Sequence, residues 1–167
     1  MSVASPSSVS PPASGAARRA WMAVFARTPR AALEAAFERA LEGTAAPAFD
    51  WLRPPEIGLA MVRGRIGGSG DPFNLGEATV TRATLRLRVP PGDAGAAVGV
   101  ACHLGRDRRR AELAALADAL LQLPEHHGTL HRQLIEPLAG QQAARRAGRQ
   151  QDAAATRVEF FTMVRGE

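Results

Sequence analysis

The chain has 167 residues and a formal net charge of +5, and every one of its 21 cations is Arg. An arginine-only balance raises the isoelectric point without making the surface unusually basic, so charge alone does not indicate a nucleic-acid binder. The length fits one domain, the single Cys102 excludes an internal disulfide and a multi-thiolate zinc site, and the absence of any run of about 20 apolar residues excludes a spanning helix.

Residues 1–17 are mostly Ser, Pro, Ala and Gly without charge or pattern, and predict a disordered tail ahead of a single domain over residues 18–167. Arg18-Arg19 precedes an apolar run that already ends at Arg27, too short and without the cleavage site of an export signal. The run is read as helix and the protein as cytoplasmic. Trp21, Met22 and Phe25 fall at helical spacing, and Thr28-Pro29 predicts an N-cap followed by Pro in the first turn. Leu33, Phe37 and Leu41 then form one stripe, with Gly43 as its C-terminal cap.

Pro47 and Pro54-Pro55 interrupt the chain around Phe49, Trp51 and Leu52, and over residues 56–66 the period becomes two. Ile57, Leu59, Met61, Arg63 and Arg65 share one face; Gly58, Ala60, Val62 and Gly64 share the other, where small residues admit close approach. A turn with Gly67, Gly68, Gly70, Asp71 and Pro72 leads to a second strand over residues 76–89. There Thr79, Thr81, Ala83, Leu85 and Leu87 oppose Val80, Arg82, Thr84, Arg86 and Arg88. After a turn at Pro90-Pro91-Gly92-Asp93, residues 97–104 complete an antiparallel meander.

Asp107 is placed to cap a helix running to Leu123, with Leu113, Leu116, Leu120 and Leu121 as its stripe and Pro124 as its end. A further helix from about His126 to Leu138 and an Ala/Arg/Gln-rich stretch to Asp152 follow. Residues 157–165 alternate again, Val158, Phe160, Thr162 and Val164 against Phe161 and Met163, as in a strand buried on both faces. The expected fold is α+β: N-terminal helices, an antiparallel β-sheet, and a helical segment before a final strand that returns to the sheet. Leu, Ile, Val and Phe supply only 35 residues. That is barely above the disordered range, so such a domain gains from covering part of its surface with a partner.

Few residues suggest chemistry. The stretch Gly64-Arg65-Ile66-Gly67-Gly68-Ser69-Gly70 lacks the Lys-Ser/Thr of a phosphate loop and opens onto a strand, so it is read as a tight turn. Cys102 and His103 are adjacent on a strand and point to opposite faces, which excludes a dyad; a buried thiol and a surface imidazole are expected. His127 and His131 lie four apart but lack the intervening acid and third ligand of a zinc site, so a solvated pair and no metal are expected. Arg106, Arg108, Arg109 and Arg110 crowd the start of a helix, where the macrodipole is already positive. Asp107, Glu112, a partner's carboxylates or a ligand's phosphates are the candidate counter-charges. The plainer reading of all these arginines, Arg63, Arg65 and Arg82 included, is a solvated face. Aromatic residues for base stacking are scarce, which argues against nucleic acid.

Several segments in order, Trp21-Met22, Glu56-Ile57-Gly58-Leu59, Val62-Arg63-Gly64-Arg65-Ile66-Gly67-Gly68 and Phe73-Asn74-Leu75-Gly76-Glu77-Ala78-Thr79-Val80-Thr81-Arg82, resemble the PhnG family of the bacterial carbon–phosphorus lyase system. Gly105-Arg106-Asp107, Asp118-Ala119-Leu120 and Val158-Glu159-Phe160-Phe161-Thr162-Met163-Val164-Arg165-Gly166 extend the resemblance to most of residues 18–167. The strand over residues 98–104 departs from it in being less aromatic.

The resemblance implies a soluble hetero-oligomer with PhnI-, PhnH- and PhnJ-like subunits. With PhnI, PhnH and an ATP-binding-cassette-like PhnL, such subunits are associated with a transferase step in phosphonate catabolism. That step joins a phosphonate to the ribose of ATP, releases adenine and yields alpha-D-ribose 1-methylphosphonate 5-triphosphate. ATP is the substrate of the complex; the iron–sulfur cluster and S-adenosylmethionine belong to PhnJ, and no cofactor is implied for this chain. The nucleosidase chemistry is attributed to PhnI, and no catalytic residue carries over. The expectation is a structural or activating subunit whose sheet docks onto a PhnI-like protein. Phe160, Phe161, Met163 and Arg165 are then core or interface anchors, and Arg63, Arg65, Arg82 and Arg106 face an anionic partner. The alternative has these arginines binding phosphonate or triphosphate directly. No nucleic acid and no membrane is implied.

Overall fold

The computed structural model describes residues 15–42, 46–88 and 96–156. Helix α1 (Gly15–Phe25) begins inside the segment read as tail and buries Trp21 and Phe25. Helix α2 (Arg30–Ala40) buries Leu33, Ala36, Phe37 and Ala40. Thr28 does not cap it. The Thr28 hydroxyl donates back to the Val24 carbonyl at 2.8 Å and accepts from Gln142 Nε2 at 2.9 Å. Pro29 is the N-cap instead, its carbonyl accepting from Leu33 N–H at 3.0 Å. A buried threonine with two partners of its own is not free to reach forward. At the other end the left-handed conformation falls on Glu42, φ 48°; Gly43 lies outside the described residues.

Strands β1 (Phe49–Gly64), β2 (Phe73–Leu87) and β3 (Val98–Leu104) form an antiparallel sheet in the order β1–β2–β3. The meander is the expected one, but β1 starts seven residues before the predicted period-two run. It passes through Pro54-Pro55 by register shifts between Trp51 and Arg53 and between Arg53 and Glu56. Proline is tolerated because among the described residues β1 is an edge strand, where a missing N–H on the outer side costs no ladder bond. On β2, Thr81, Ala83, Leu85 and Leu87 are buried while Arg82 and Arg86 are exposed, the alternation the sequence predicts. The glycine segment is a turn: Gly67 and Gly68 take φ of 61° and 78°, a region that costs glycine nothing.

Helix α3 (Arg108–Leu121) lies on β3 and β2. Its N-cap is Asp107, whose carboxylate accepts from Arg110 N–H at 3.0 Å, as expected. Ala111, Ala114, Ala115, Ala117 and Ala119 are buried beside Leu113, Leu116, Leu120 and Leu121. Close approach compensates for the thin inventory of large side chains. At Gly99 a Cβ would stand 1.8 Å from the Ala115 carbonyl oxygen and 2.8 Å from the Ala119 Cβ.

Pro124 opens a helix as well as ending one: α4 (Pro124–Leu130) runs through a π-helical turn (His131–Ile135) into α5 (Glu136–Ala155). The wide turn, with Glu136 N–H reaching the His131 carbonyl, precedes Pro137, which has no N–H to continue the regular ladder. Among the described residues no helix is long and apolar enough to cross a membrane. The predicted final strand, with Phe160, Phe161, Met163 and Arg165, lies outside the described residues.

Candidate functional site

The most connected polar group is Asp118, fully buried on α3. Its Oδ1 accepts from Trp21 Nε1 at 2.8 Å and from Arg18 Nε at 3.2 Å. Its Oδ2 accepts from Arg18 Nη2 at 2.7 Å and from Val100 N–H at 2.9 Å. Four donors meet a carboxylate that offers about four lone-pair sites, so no position is left for a substrate proton. Arg18 Nη2 also donates to the Val98 carbonyl at 3.0 Å, which Gln122 Nε2 reaches at 2.9 Å. The cluster thus ties α1 and α3 to the open edge of β3. Its role is structural. Sequence reading took Asp118 only as part of a family-like segment; the missed signal was a lone carboxylate inside an Ala/Leu helix face.

The arginines named from sequence do not converge. Arg63 Nη2 donates to the Pro72 carbonyl at 3.4 Å and Arg65 Nη1 to the Gly70 carbonyl at 2.9 Å, both steadying the turn. Arg65 lies past the end of β1, and a register shift between Val62 and Arg63 breaks the face it was expected to share with Ile57. Arg82 lies over Gly58, within 4.0 Å of where a Cβ would stand, and pairs with Glu56 at 3.6 Å. The small face of β1 therefore admits an arginine of the chain's own next strand.

Arg106 is exposed just ahead of α3. Much of the crowding there is answered from within: Arg109 pairs with Glu112 at 2.7 Å and Glu34 at 3.3 Å, and Arg30 stands 3.9 Å from Asp107. Arg110 Nη2 donates to the Phe25 and Ala26 carbonyls at 3.1 and 2.7 Å, closing the C-terminal end of α1. Burial lowers the Arg110 pKa from its usual value, and Asp107 partly offsets this.

Two histidine and cysteine expectations are corrected. Cys102 is exposed and His103 buried, the reverse of the reading from sequence. Their opposite orientation holds, but pairing with β2 sets Cys102 beside Arg82 on the outer face and turns His103 towards the core. The His103 ring lies 3.0 Å from each of the Leu104 and Asp107 carbonyls, through Nδ1 and Nε2. His127 is not simply solvated: its Nδ1–H donates to the Leu121 carbonyl at 2.8 Å and its ring meets Trp21 edge-on at 5.7 Å. His131 stands 3.2 Å from Glu136. Among the described residues no three His, Cys, Asp or Glu are grouped to hold a metal.

The β1–β2 hairpin carries an exposed apolar surface. β3 pairs with β2 only from Val80 with Leu104 to Arg86 with Val98, so residues 58–64 and 73–79 continue as a two-stranded arm among the described residues. Leu59 and Met61 pair with Thr79 and Glu77, on the face that carries the buried Thr81, Ala83 and Leu85 nearer the helices. On the arm that face is uncovered among the described residues: Leu59 and Met61 are 63% and 53% exposed. Trp51, Leu52, Ile57, Met61, Val62 and Phe73 are exposed on the same hairpin.

A domain whose one buried carboxylate among the described residues is saturated by structural donors, and whose sheet leaves Leu59 and Met61 exposed there, has the anatomy of an assembly component. The model of the family "Phosphonate metabolism protein PhnG" matches residues 16–166, and the chain belongs to that family. It is 53% identical over 116 residues, 70% of each chain, to the alpha-D-ribose 1-methylphosphonate 5-triphosphate synthase subunit PhnG of Rhizobium meliloti (strain 1021).

Proposed function

We propose that the chain serves as the PhnG-type subunit of an alpha-D-ribose 1-methylphosphonate 5-triphosphate synthase in phosphonate catabolism, as a structural and activating component. The 53% identical relative, named as a subunit of that synthase, supports the assignment to the complex. The structural role rests on one observation: Arg63, Arg65, Arg82 and Arg106 are dispersed, three of them bound to groups of the chain itself, and so form no common phosphate site. The partners are PhnI-, PhnH- and PhnJ-like subunits, with a PhnL-like subunit in the synthase step, in the cytoplasm. ATP and methylphosphonate are substrates of the whole complex. This chain needs no cofactor, and the iron–sulfur cluster and S-adenosylmethionine reside in the PhnJ-like subunit.

The test is reconstitution with and without this chain. Adenine release from ATP and methylphosphonate is expected only when the chain is present with its partners, and none from the chain alone. Release by the isolated chain overturns the reading. A double variant, Arg63→Ala with Arg65→Ala, that assembles normally but loses turnover would favour direct phosphate binding instead.

A further inference from the structure

We propose that the β1–β2 arm is the docking element of this subunit, seated against a different subunit that offers an apolar surface bordered by carboxylates and adds a strand to the free edge of β1. The inference rests on the reading of the chain as a subunit, and assigns the surface and the chemistry of its partner.

Three observations carry it. A two-stranded ribbon is marginally stable in water without a face to pack against, yet this one exposes Ile57, Leu59 and Met61 in a row on one face. Contiguous apolar surface of this kind marks interaction sites. The two sheet edges also differ. On β3 the Val98 carbonyl is taken by Arg18 and Gln122 and the Val100 N–H by Asp118, so strand addition there is blocked. On β1 the outer edge carries no fourth strand among the described residues, and beyond Pro55 residues 56–64 contain no proline to interrupt a new ladder.

Charge then selects the occupant. Asp50 is held by Arg88, and Glu56 by Arg53 and Arg82. Arg63 and Arg65 on the hairpin, with Arg106 and Arg108 beside Ile57, have no carboxylate partner among the described residues. Against these four stand Asp71 and Glu77. A second copy of the chain would bring the same cationic excess to the contact, whereas an acidic rim on another subunit complements it.

The experiment is co-purification of the full chain with its co-expressed neighbouring subunits, comparing the natural sequence with a Leu59→Arg, Met61→Arg double variant. Both positions are exposed, so circular dichroism and the melting curve should be unchanged. At least a tenfold loss of retained chain is expected. Hydrogen exchange on the unmodified complex gives a second reading, with amides of residues 57–64 slowed at least tenfold on assembly. Normal retention of the variant together with unchanged exchange overturns the docking surface while leaving the subunit reading intact. Failure of the natural chain to co-purify overturns both. Homodimers of the natural chain that the substitutions abolish make the occupant a second copy and overturn the proposal.

Discussion

Asp118 shows how much one side chain can organise. Removing a carboxylate that receives four donors leaves Trp21 Nε1, Val100 N–H and the Arg18 guanidinium without their acceptor in the interior. Breaking such a pair by deleting one partner costs about 3–5 kcal/mol, and Asp118→Ala should lose that much in urea unfolding. Asp118→Asn keeps the shape but turns an amide NH2 towards at least one donor, so it should not restore wild-type stability. At the surface the balance differs. Arg88 holds the Asp50 carboxyl below its usual value, first by its hydrogen bond, against a smaller opposing desolvation, and then by charge, with Arg86 adding to it. A lowered folded value means that the pair contributes above the ordinary carboxylate range and loses its contribution as pH falls through the folded value. An NMR titration should find Asp50 titrating below a free aspartate and returning towards it in Arg88→Ala. Cys102 provides a further check: being exposed, it should react with a thiol reagent in the native chain without denaturant.

Among the elements, the contact between α3 and β3 is the tightest. Gly99→Ala forces a methyl group into the Ala115 carbonyl, and overpacking of this kind costs about 1–3 kcal/mol or more. Leu120→Ala, which opens space on the same helix, should cost about 2–5 kcal/mol. Urea unfolding reads both, and a neutral Gly99→Ala would show that strand and helix separate more easily than their geometry indicates. Most of these elements were legible from local pattern. Period-two alternation marked the strands, and Asp107 marked the start of α3. Legibility failed where a distant partner decides. Thr28 gave up the cap because Val24 and Gln142 occupy its hydroxyl, and β1 crosses Pro54-Pro55 because its outer edge has no neighbouring strand among the described residues.

For the whole molecule, the uneven cover of the sheet predicts uneven stability. β2 between Val80 and Arg86 is paired on both sides and packed beneath α3, whereas among the described residues the arm is paired once and bare. Hydrogen exchange of the isolated chain should therefore protect residues 80–86 most and the free edge of β1 least. Uniform protection along β1 and β2 would contradict this.

What the sequence by itself determined was local: helix stripes, strand periods, turn glycines, the Asp107 cap and the segments that resemble the PhnG family. Each depends on residues within a turn or a strand of one another. The tertiary structure alone decided which face of β3 turns inward, since pairing with β2 sets that parity and makes His103 rather than Cys102 the buried neighbour. It also decided that Arg18 would meet Asp118 across 100 residues, and that Leu59 and Met61 of β1 would stay exposed among the described residues. These outcomes depend on which surfaces meet when the chain closes, and no neighbouring residue carries that information.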